Sequence, residues 1–342
     1  MNKNIAILGH FAENKMNYNG QTIKTRILAE EVEKLLPDWQ VKRIDTAGYK
    51  ENPLGLLLEV LSAFFKCSHI IIMLSRNGRK VFFPLFYYLN KFFRRNIWHN
   101  VIGAASYDLV LQNPQWIKYM NSFRANQVEL NSLKVKLESV GIHNAIVVPN
   151  FKKLPICEHK SVWKDLTFRF CTFSRVEPMK GIEDAINAIH NVSKAGFSVS
   201  LDIYGQIERG QEEWFEKIMD LSEENIQYCG IIDYEKSTEV LTGYYALLFP
   251  TRYTTEGFPG TIIDAYAAGL PVIASMDCEL VTDGETGLVY SGSSVELLSK
   301  NIEKSILEQS TFEAMRNNCI MRAKLYQPET VVRGMLTDMG LL

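Results

Sequence analysis

The six cysteines of this 342-residue chain (Cys67, Cys157, Cys171, Cys229, Cys278 and Cys319) include no CxxC pair. Scattered thiols of this kind argue against a disulfide framework or a zinc site and leave reduced thiols as the plain expectation. No apolar run reaches the ~18–20 residues of a membrane-spanning helix. The opening MNKNIAILGHF has a short apolar run and no small-residue cleavage site, so it does not read as a secretory leader. A cytoplasmic location is expected. No GxGxxG follows the first apolar run, which disfavours a nicotinamide dinucleotide site. Asp-x-Asp is absent as well, and so are internal repeats and low-complexity tracts.

What is present is a globular composition, 46% hydrophobic and 22% charged, in a chain too long for one ordinary core. Two domains are expected. The net charge of −2 conceals an asymmetry. Residues 1–150 carry 19 Lys/Arg against 11 Asp/Glu, a net +8, and residues 151–342 carry 18 against 28, a net −10. A basic half suits anionic lipid, nucleic acid or a phosphorylated acceptor. With no nucleic-acid motif in view, no nucleic-acid partner is expected. An uneven surface without a partner is the plain alternative.

Apolar runs alternate with helical patterns along the whole chain. Asn4–Gly9, His69–Leu74, Asn96–Ile102 and Ala145–Val148 read as buried strands, and Leu109–Leu111 as the start of another. Thr25–Leu36 reads as a helix, with Ile27, Leu28, Val32, Leu35 and Leu36 on one face. After a polar link near Lys152–Asp165 the alternation restarts. Strands are expected at Arg169–Ser174, Ser198–Tyr204, Ile226–Cys229, Ala246–Phe249 and Pro271–Ala274, and helices over Gly181–Ala195, Gln211–Leu221 and Thr261–Ala268. Such alternation predicts two successive α/β domains with parallel sheets, whose ligands bind at the carboxyl ends of strands.

Two segments carry chemistry. In Thr254–Ser275 a strand leads through Glu256-Gly257-Phe258-Pro259-Gly260 into a helix. The glycines allow close backbone approach, and the N–H groups of Gly260, Thr261 and Ile262 at the helix start suit phosphate oxygens. Glu256 and Asp264 beside that anion site make sense as acceptors from sugar and ribose hydroxyls. A Gly/Pro loop with an acidic residue favoured by the helix dipole is the plain alternative. In Ser174–Gly181, Arg175 and Lys180 lie between a strand end and a helix start. Two fixed cations there can stabilise a departing diphosphate, or can be surface charges on a solvated loop.

At these residues the chain resembles the retaining glycosyltransferases of GT-B fold known as the glycosyl transferases group 1. Their signature is Glu, seven residues, Glu, with Gly-Phe after the first. Here Glu256-Gly257-Phe258 fits, while the second position is Asp264, one methylene shorter. Ala268–Ala274 also looks like the family, as does the Arg175…Lys180-Gly181 clamp. The resemblance is strong over Phe170–Tyr290 and weaker before Asn150. It implies two Rossmann-like, doubly wound domains facing across a cleft. Residues 1–152 would form the acceptor-binding domain, 153–325 the nucleotide-sugar donor domain, and 326–342 a helical segment packing back on the first.

The implied reaction moves a sugar from a nucleoside diphosphate sugar, with UDP favoured by family frequency, to a hydroxyl of a lipid-linked or growing polysaccharide. Arg175, Lys180 and Glu256 would be catalytic. Gly257, Phe258, Pro259, Gly260, Thr261, Ile262 and Asp264 would bind the donor. Backbone near Gly230–Ile232 would hold the base, with Ile232 the named contact. Gly20, in the thin Asn19-Gly20 loop, would approach the phosphates. His99 would stand beside the donor sugar, the alternative being a buried strand histidine. No metal or cofactor is implied, since Arg175 and Lys180 would do a metal's electrostatic work. The aromatic and basic stretch Lys80–Trp98 suits contact with an anionic bilayer, or else one core-facing helix with a basic end. A sugar-nucleotide epimerase or hydrolase of the same fold, and a non-catalytic nucleotide-sugar-binding subunit, are the rival readings.

Overall fold

The structure is a computed structural model that describes residues 3–12, 20–49, 51–103, 106–157, 167–253, 257–275 and 278–342. Contacts divide the chain into two compact units, residues 1–153 with 328–342, and residues 154–327.

Among the described residues, unit 1 contains six strands: β1 (Asn4–Gly9), β2 (Gln40–Asp45), β3 (His69–Ile72), β4 (Asn96–Asn100), β5 (Ala125–Val128) and β6 (Ala145–Val147). Between them run α1 (Gly20–Leu35), α2 (Pro53–Lys66), α3 (Arg76–Phe93), α4 (Ser106–Gln112), α5 (Gln115–Asn121) and α6 (Asn131–Ser139). The strands form one parallel sheet in the order β2-β1-β3-β4-β5-β6. Strands buried on both faces need apolar residues in near-continuous runs, and IAIL and HIII supply them. Along β1, Ala6 and Leu8 enter the core cluster on one face, while Ile5 and Ile7 enter the cluster on the other.

Unit 2 repeats the plan with β7 (Phe168–Phe173), β8 (Val199–Tyr204), β9 (Ile226–Gly230), β10 (Ala246–Phe249), β11 (Val272–Ser275) and β12 (Gly287–Tyr290). Its helices are α7 (Ile182–Lys194), α8 (Glu212–Asp220), α9 (Ser237–Leu241), α10 (Gly260–Ala267), α11 (Val295–Leu307) and α12 (Gln309–Leu325). The sheet is parallel, in the order β12-β11-β10-β7-β8-β9. The strand order therefore reverses between β7 and β10, and in an open α/β sheet the crevice at such a reversal is where ligands bind.

The chain then returns to unit 1 as α13 (Pro328–Asp338). Its Val331, Val332, Met335 and Leu336 join Leu28, Ala29 and Val32 of α1 over Ile5, Ile7, Ile71 and Met73. Among the described residues, no helix is long and apolar enough to cross a membrane.

The α/β class and the parallel sheets are as the alternation predicts, and one local reading is corrected. Leu109–Leu111 is not a strand but part of α4, where Ser106, Leu109 and Val110 are buried at helical spacing. Three apolar residues in a row satisfy either period, and here the turn at Gly103 and Ser106 starts a helix, with the Ser106 hydroxyl donating to the Gly103 carbonyl.

One ion pair pins α1 to the sheet. Lys24 Nζ lies 2.6 Å from Glu129 Oε1, with side chains only 7% and 12% exposed. Removing one member leaves a buried charge uncompensated, so Glu129→Ala should cost unit 1 about 3–5 kcal/mol in a urea titration.

Candidate active site

The site in unit 2 is built where backbone meets backbone at the carboxyl ends of β7, β8 and β10. Gly181 has φ +70°, and a Cβ there would lie 1.9 Å from the Pro250 carbonyl oxygen. Gly205 has φ +136°, and its Cβ would lie 1.7 Å from the Ser174 carbonyl oxygen. Only glycine combines a left-handed backbone with such approach. The loop after β7 is thereby held between the ends of its two neighbours.

Hydrogen bonds fix the same loop. The Arg252 N–H donates to the Met179 carbonyl at 2.9 Å, and the Tyr253 hydroxyl to Glu177 at 3.2 Å. Val176 N–H donates to the Gln206 carbonyl, and Glu208 N–H to the Val176 carbonyl, zipping the loops after β7 and β8 together. The Thr261 hydroxyl, at the start of α10, donates to the Phe173 carbonyl at the end of β7. The beginning of α10 is thus anchored beside the Arg175–Lys180 loop. Behind the loop after β10, Arg252 makes a bidentate pair with Asp184, at 2.8 and 2.5 Å.

Within this frame Arg175 is exposed, 2.8 Å from Glu208 and 3.6 Å from Glu177. Lys180 closes a single 3-10 turn, Pro178–Lys180, and its Nζ lies 5.1 Å from the Tyr253 ring centroid and 5.8 Å from that of Phe249. An aromatic floor of this kind favours a cation without neutralising its charge. Pro259 caps α10 with an extended φ of −74° and ψ of 109°. The Ile262 N–H is already given to the Pro259 carbonyl at 3.0 Å. It is therefore engaged within the turn, and of the three amides expected to face an anion, those of Gly260 and Thr261 come before it. Gly257 is half-buried, and Phe258 packs its ring edge-on against Tyr326 at 5.2 Å.

Asp264, one turn into α10, is 1% exposed and accepts a 2.8 Å hydrogen bond from the Ser237 hydroxyl at the start of α9. That bond ties α10 to the segment that follows β9, in which Ile232 is half-buried. Glu256 lies outside the described residues, as does Asn19. Through Thr261 the start of α10 meets the end of β7, from which the Arg175–Lys180 loop leaves at the β7–β10 reversal. Asp264 is buried further along α10, and Ile232 follows β9.

Gly20 and His99 belong to unit 1. Gly20 is the exposed first residue of α1. His99 is wholly buried on β4, with Nδ1 2.9 Å from Asn126 Oδ1 and its ring edge-on to Phe83 at 5.0 Å. It is buried, as the plainer of the two readings has it, and its Nε2 has no hydrogen-bond partner among the described residues. Unit 1 has its own reversal of strand order, between β1 and β3. A cavity of about 60 Å³ opens there, lined by His10, Thr46, Leu74 and Ser75 among others. Among the described residues, no cluster of three or more His, Cys, Asp or Glu side chains is placed to hold a metal ion.

Gly205, Glu208, Tyr253 and the Arg252–Asp184 pair were not singled out by the sequence. Only Gly205, just after a predicted strand, left a readable signal. The others depend on which loops the sheet order makes neighbours.

Residues 167–307 match the family described as glycosyl transferases group 1. A curated relative, the UDP-N-acetylglucosamine–peptide N-acetylglucosaminyltransferase GtfA subunit of Streptococcus agalactiae, is 23% identical over 188 residues. That match covers 51% of this chain and 36% of the relative, so the chain aligns with about a third of that protein's length. Anabaena HepE, solved with UDP and glucose, superposes with a TM-score of 0.72 at 14% identity, over 99% of this chain and all of that one. Sucrose-phosphate synthase from Thermosynechococcus elongatus gives 0.74 at 16% identity, over 99% and 98% of the two chains. The likeness to the glycosyl transferases group 1 family is therefore carried by residues 167–307, and the chain has the GT-B fold.

Two outcomes test the geometry. Gly205→Ala meets carbonyl backbone rather than a movable side chain, so it should lower stability by about 2–4 kcal/mol in a denaturation series. His99 has its pKa pushed down to about 3 by burial and by the nearby Arg79 charge, against a hydrogen bond to Asn126 that raises it. The folded value lies below the unfolded value of about 6.5, so its contribution is complete above pH 6.5. It is lost as pH falls from there toward 3, by up to about 1.4 kcal/mol per pH unit. Chemical denaturation of His99→Leu across this range should show a shallower loss of stability than the parent; equal slopes would refute the assignment.

Proposed function

We propose that the chain is a retaining glycosyltransferase that transfers a sugar from a nucleoside diphosphate sugar, UDP-linked by preference, to a hydroxyl of a lipid-linked or growing polysaccharide. The observation that carries this reading is the meeting of Arg175, Lys180 and the start of α10 at the strand-order reversal of a glycosyl transferases group 1 segment. UDP as the nucleotide is supported by the HepE structures, which hold UDP or UDP-glucose.

In the reaction, the bond from the anomeric carbon to the β-phosphate oxygen breaks, and its electron pair leaves with the diphosphate. Arg175, Lys180 and the N–H groups of Gly260 and Thr261 stabilise that developing charge, which is larger in the transition state than in the bound donor. Arg175 exchanges part of its pairing with Glu208 for the diphosphate. The acceptor oxygen attacks from the face the diphosphate leaves, and its proton passes to the departing phosphate oxygen, so no separate general base is needed. Glu256 orients the transferred sugar. Asp264 accepts from a ribose hydroxyl while holding Ser237, and backbone near Ile232 receives the base. Phe258 and Pro259 keep the loop in shape, and Gly257 leaves it room for the donor. Gly20, opening α1, approaches the phosphates, and unit 1 receives the acceptor. The charge work falls to two cations, without a metal. Such an enzyme works on the cytoplasmic side of the cell envelope.

Turnover and binding give separate tests. Lys180→Ala and Arg175→Ala should each lower kcat by at least ~100-fold with a UDP-sugar and acceptor. UDP at saturation should raise the stability of the unaltered protein by a few kcal/mol, an effect reduced in Lys180→Ala. Near-normal turnover in both variants would overturn the site. Stabilisation by UDP in a protein that turns over no UDP-sugar would instead favour a binding subunit.

A further inference from the structure

The outward face of α2 is apolar where a surface helix is normally polar. Val60, Ala63 and Phe64 point into the core of unit 1, as the inward stripe should. The opposite stripe carries Leu54, Leu57, Leu58 and Phe65, at helical spacing, with Leu54 74%, Leu58 67% and Phe65 66% exposed. Apart from the exposed Glu59 and Lys66, the outward residues of α2 are largely apolar, whereas a surface helix ordinarily turns a polar face outward. The neighbouring α3 does the same. Phe82, Phe83 and Phe86 are buried, while Val81 and Tyr88 are exposed and Phe92 is 85% exposed. The two helices touch at their carboxyl ends, where the exposed Phe65 ring lies edge-on to Phe93 at 4.8 Å, next in sequence to the exposed Phe92. Single exposed apolar residues need no explanation, but a patch shared by two adjacent helices marks a contact surface.

The charge around the patch identifies its occupant. No Asp or Glu occurs between Val60 and Tyr107. Residues 51–95 carry seven Lys/Arg against two Asp/Glu. Lys66 closes α2 at its exposed end, while Lys80, Lys91 and Arg94 are exposed on or just beyond α3. Lys91 lies over the Tyr87 and Tyr88 rings, at 4.8 and 5.6 Å. Apolar side chains that enter the acyl boundary, ringed by long cations that reach the headgroups, suit a negatively charged bilayer surface. A protein partner of ordinary composition would leave this one-sided charge unanswered.

We infer that α2 and α3 of unit 1 form a docking face for an anionic membrane surface, with Leu54, Leu58, Phe65 and Phe92 entering the lipid and Lys66, Lys80, Lys91 and Arg94 meeting its headgroups. The face is independent of the donor site, so either assignment can fail alone.

The experiment is flotation of the full chain with phosphatidylcholine vesicles, with and without phosphatidylglycerol. The chain should float with the anionic vesicles, and less so as salt is raised, because screening weakens the headgroup term. Leu58→Glu combined with Phe92→Glu should reduce vesicle partitioning at least about tenfold with no change in the thermal melt, since both positions are already exposed. Leu221→Glu, at an equally open site in unit 2 (81% exposed), should float like the parent. No flotation with anionic vesicles, or flotation that survives the double substitution, overturns the inference. Equal flotation with phosphatidylcholine alone overturns its anionic part. A chain dimer that the double substitution breaks, with no flotation, would assign the face to a second copy instead.

Discussion

At the end of β7 the chain has no room for a side chain on either flank. The Pro250 carbonyl presses on Gly181 and the Ser174 carbonyl presses on Gly205, so the loops after three strands close on one another through main chain alone. Everything placed at the site follows from that approach. Lys180 lies over Tyr253 and Phe249 because Gly181 lets the turn before it reach the end of β10. Thr261 reaches Phe173 because α10 starts from the neighbouring strand end. A parallel sheet whose order reverses here puts the first and fourth strands of the unit side by side. Sequence distance is thereby turned into contact between residues about eighty positions apart.

The electrostatics have a corresponding economy. Unit 2 lies in the acidic half of the chain, yet its strand-end crevice holds two cations, Arg175 and Lys180. Each cation is held in a different way. Arg175 is paired with Glu208 and Glu177, carboxylates from its own and the adjoining loop. Lys180 rests on aromatic faces, which orient an ammonium without cancelling it. A forked guanidinium and an aromatic-backed ammonium present an incoming anion with two cations of different character.

Much of this was legible in the sequence, because buried parallel strands must be written as apolar runs. IAIL, HIII and ALLF announce themselves, and each is a strand. Three strands escaped notice: β12, a short apolar GLVY, and two whose burial is partial or whose residues are polar. β2 reads QVKRID at the sheet edge, and β5 reads ANQV although all four residues are buried. In β5 the reason is local: the Asn126 side chain answers His99, the Met120 carbonyl and Asn144, so a polar residue meets the burial requirement by hydrogen bonding. At the site, motif spacing pointed to Arg175, Lys180 and the α10 start, which the proposed function uses. It could not identify Glu208 or Tyr253, whose relevance arises only from strand order. His99 shows the converse limit, since a histidine in an apolar run reads alike whether it lines a crevice or fills a core.

The helix α13 belongs to unit 1, but 174 residues of unit 2 separate it from the rest of that unit. During synthesis, Ile5, Ile7, Ile71 and Met73 and the inner face of α1 are made long before Val331, Val332, Met335 and Leu336 exist to cover them. Unit 2 is continuous and can close as it emerges. Unit 1 must wait with α1 and the sheet beneath it only partly covered on that side. The nascent chain therefore carries an open apolar face through the whole elongation of unit 2, a natural client surface for a ribosome-associated chaperone.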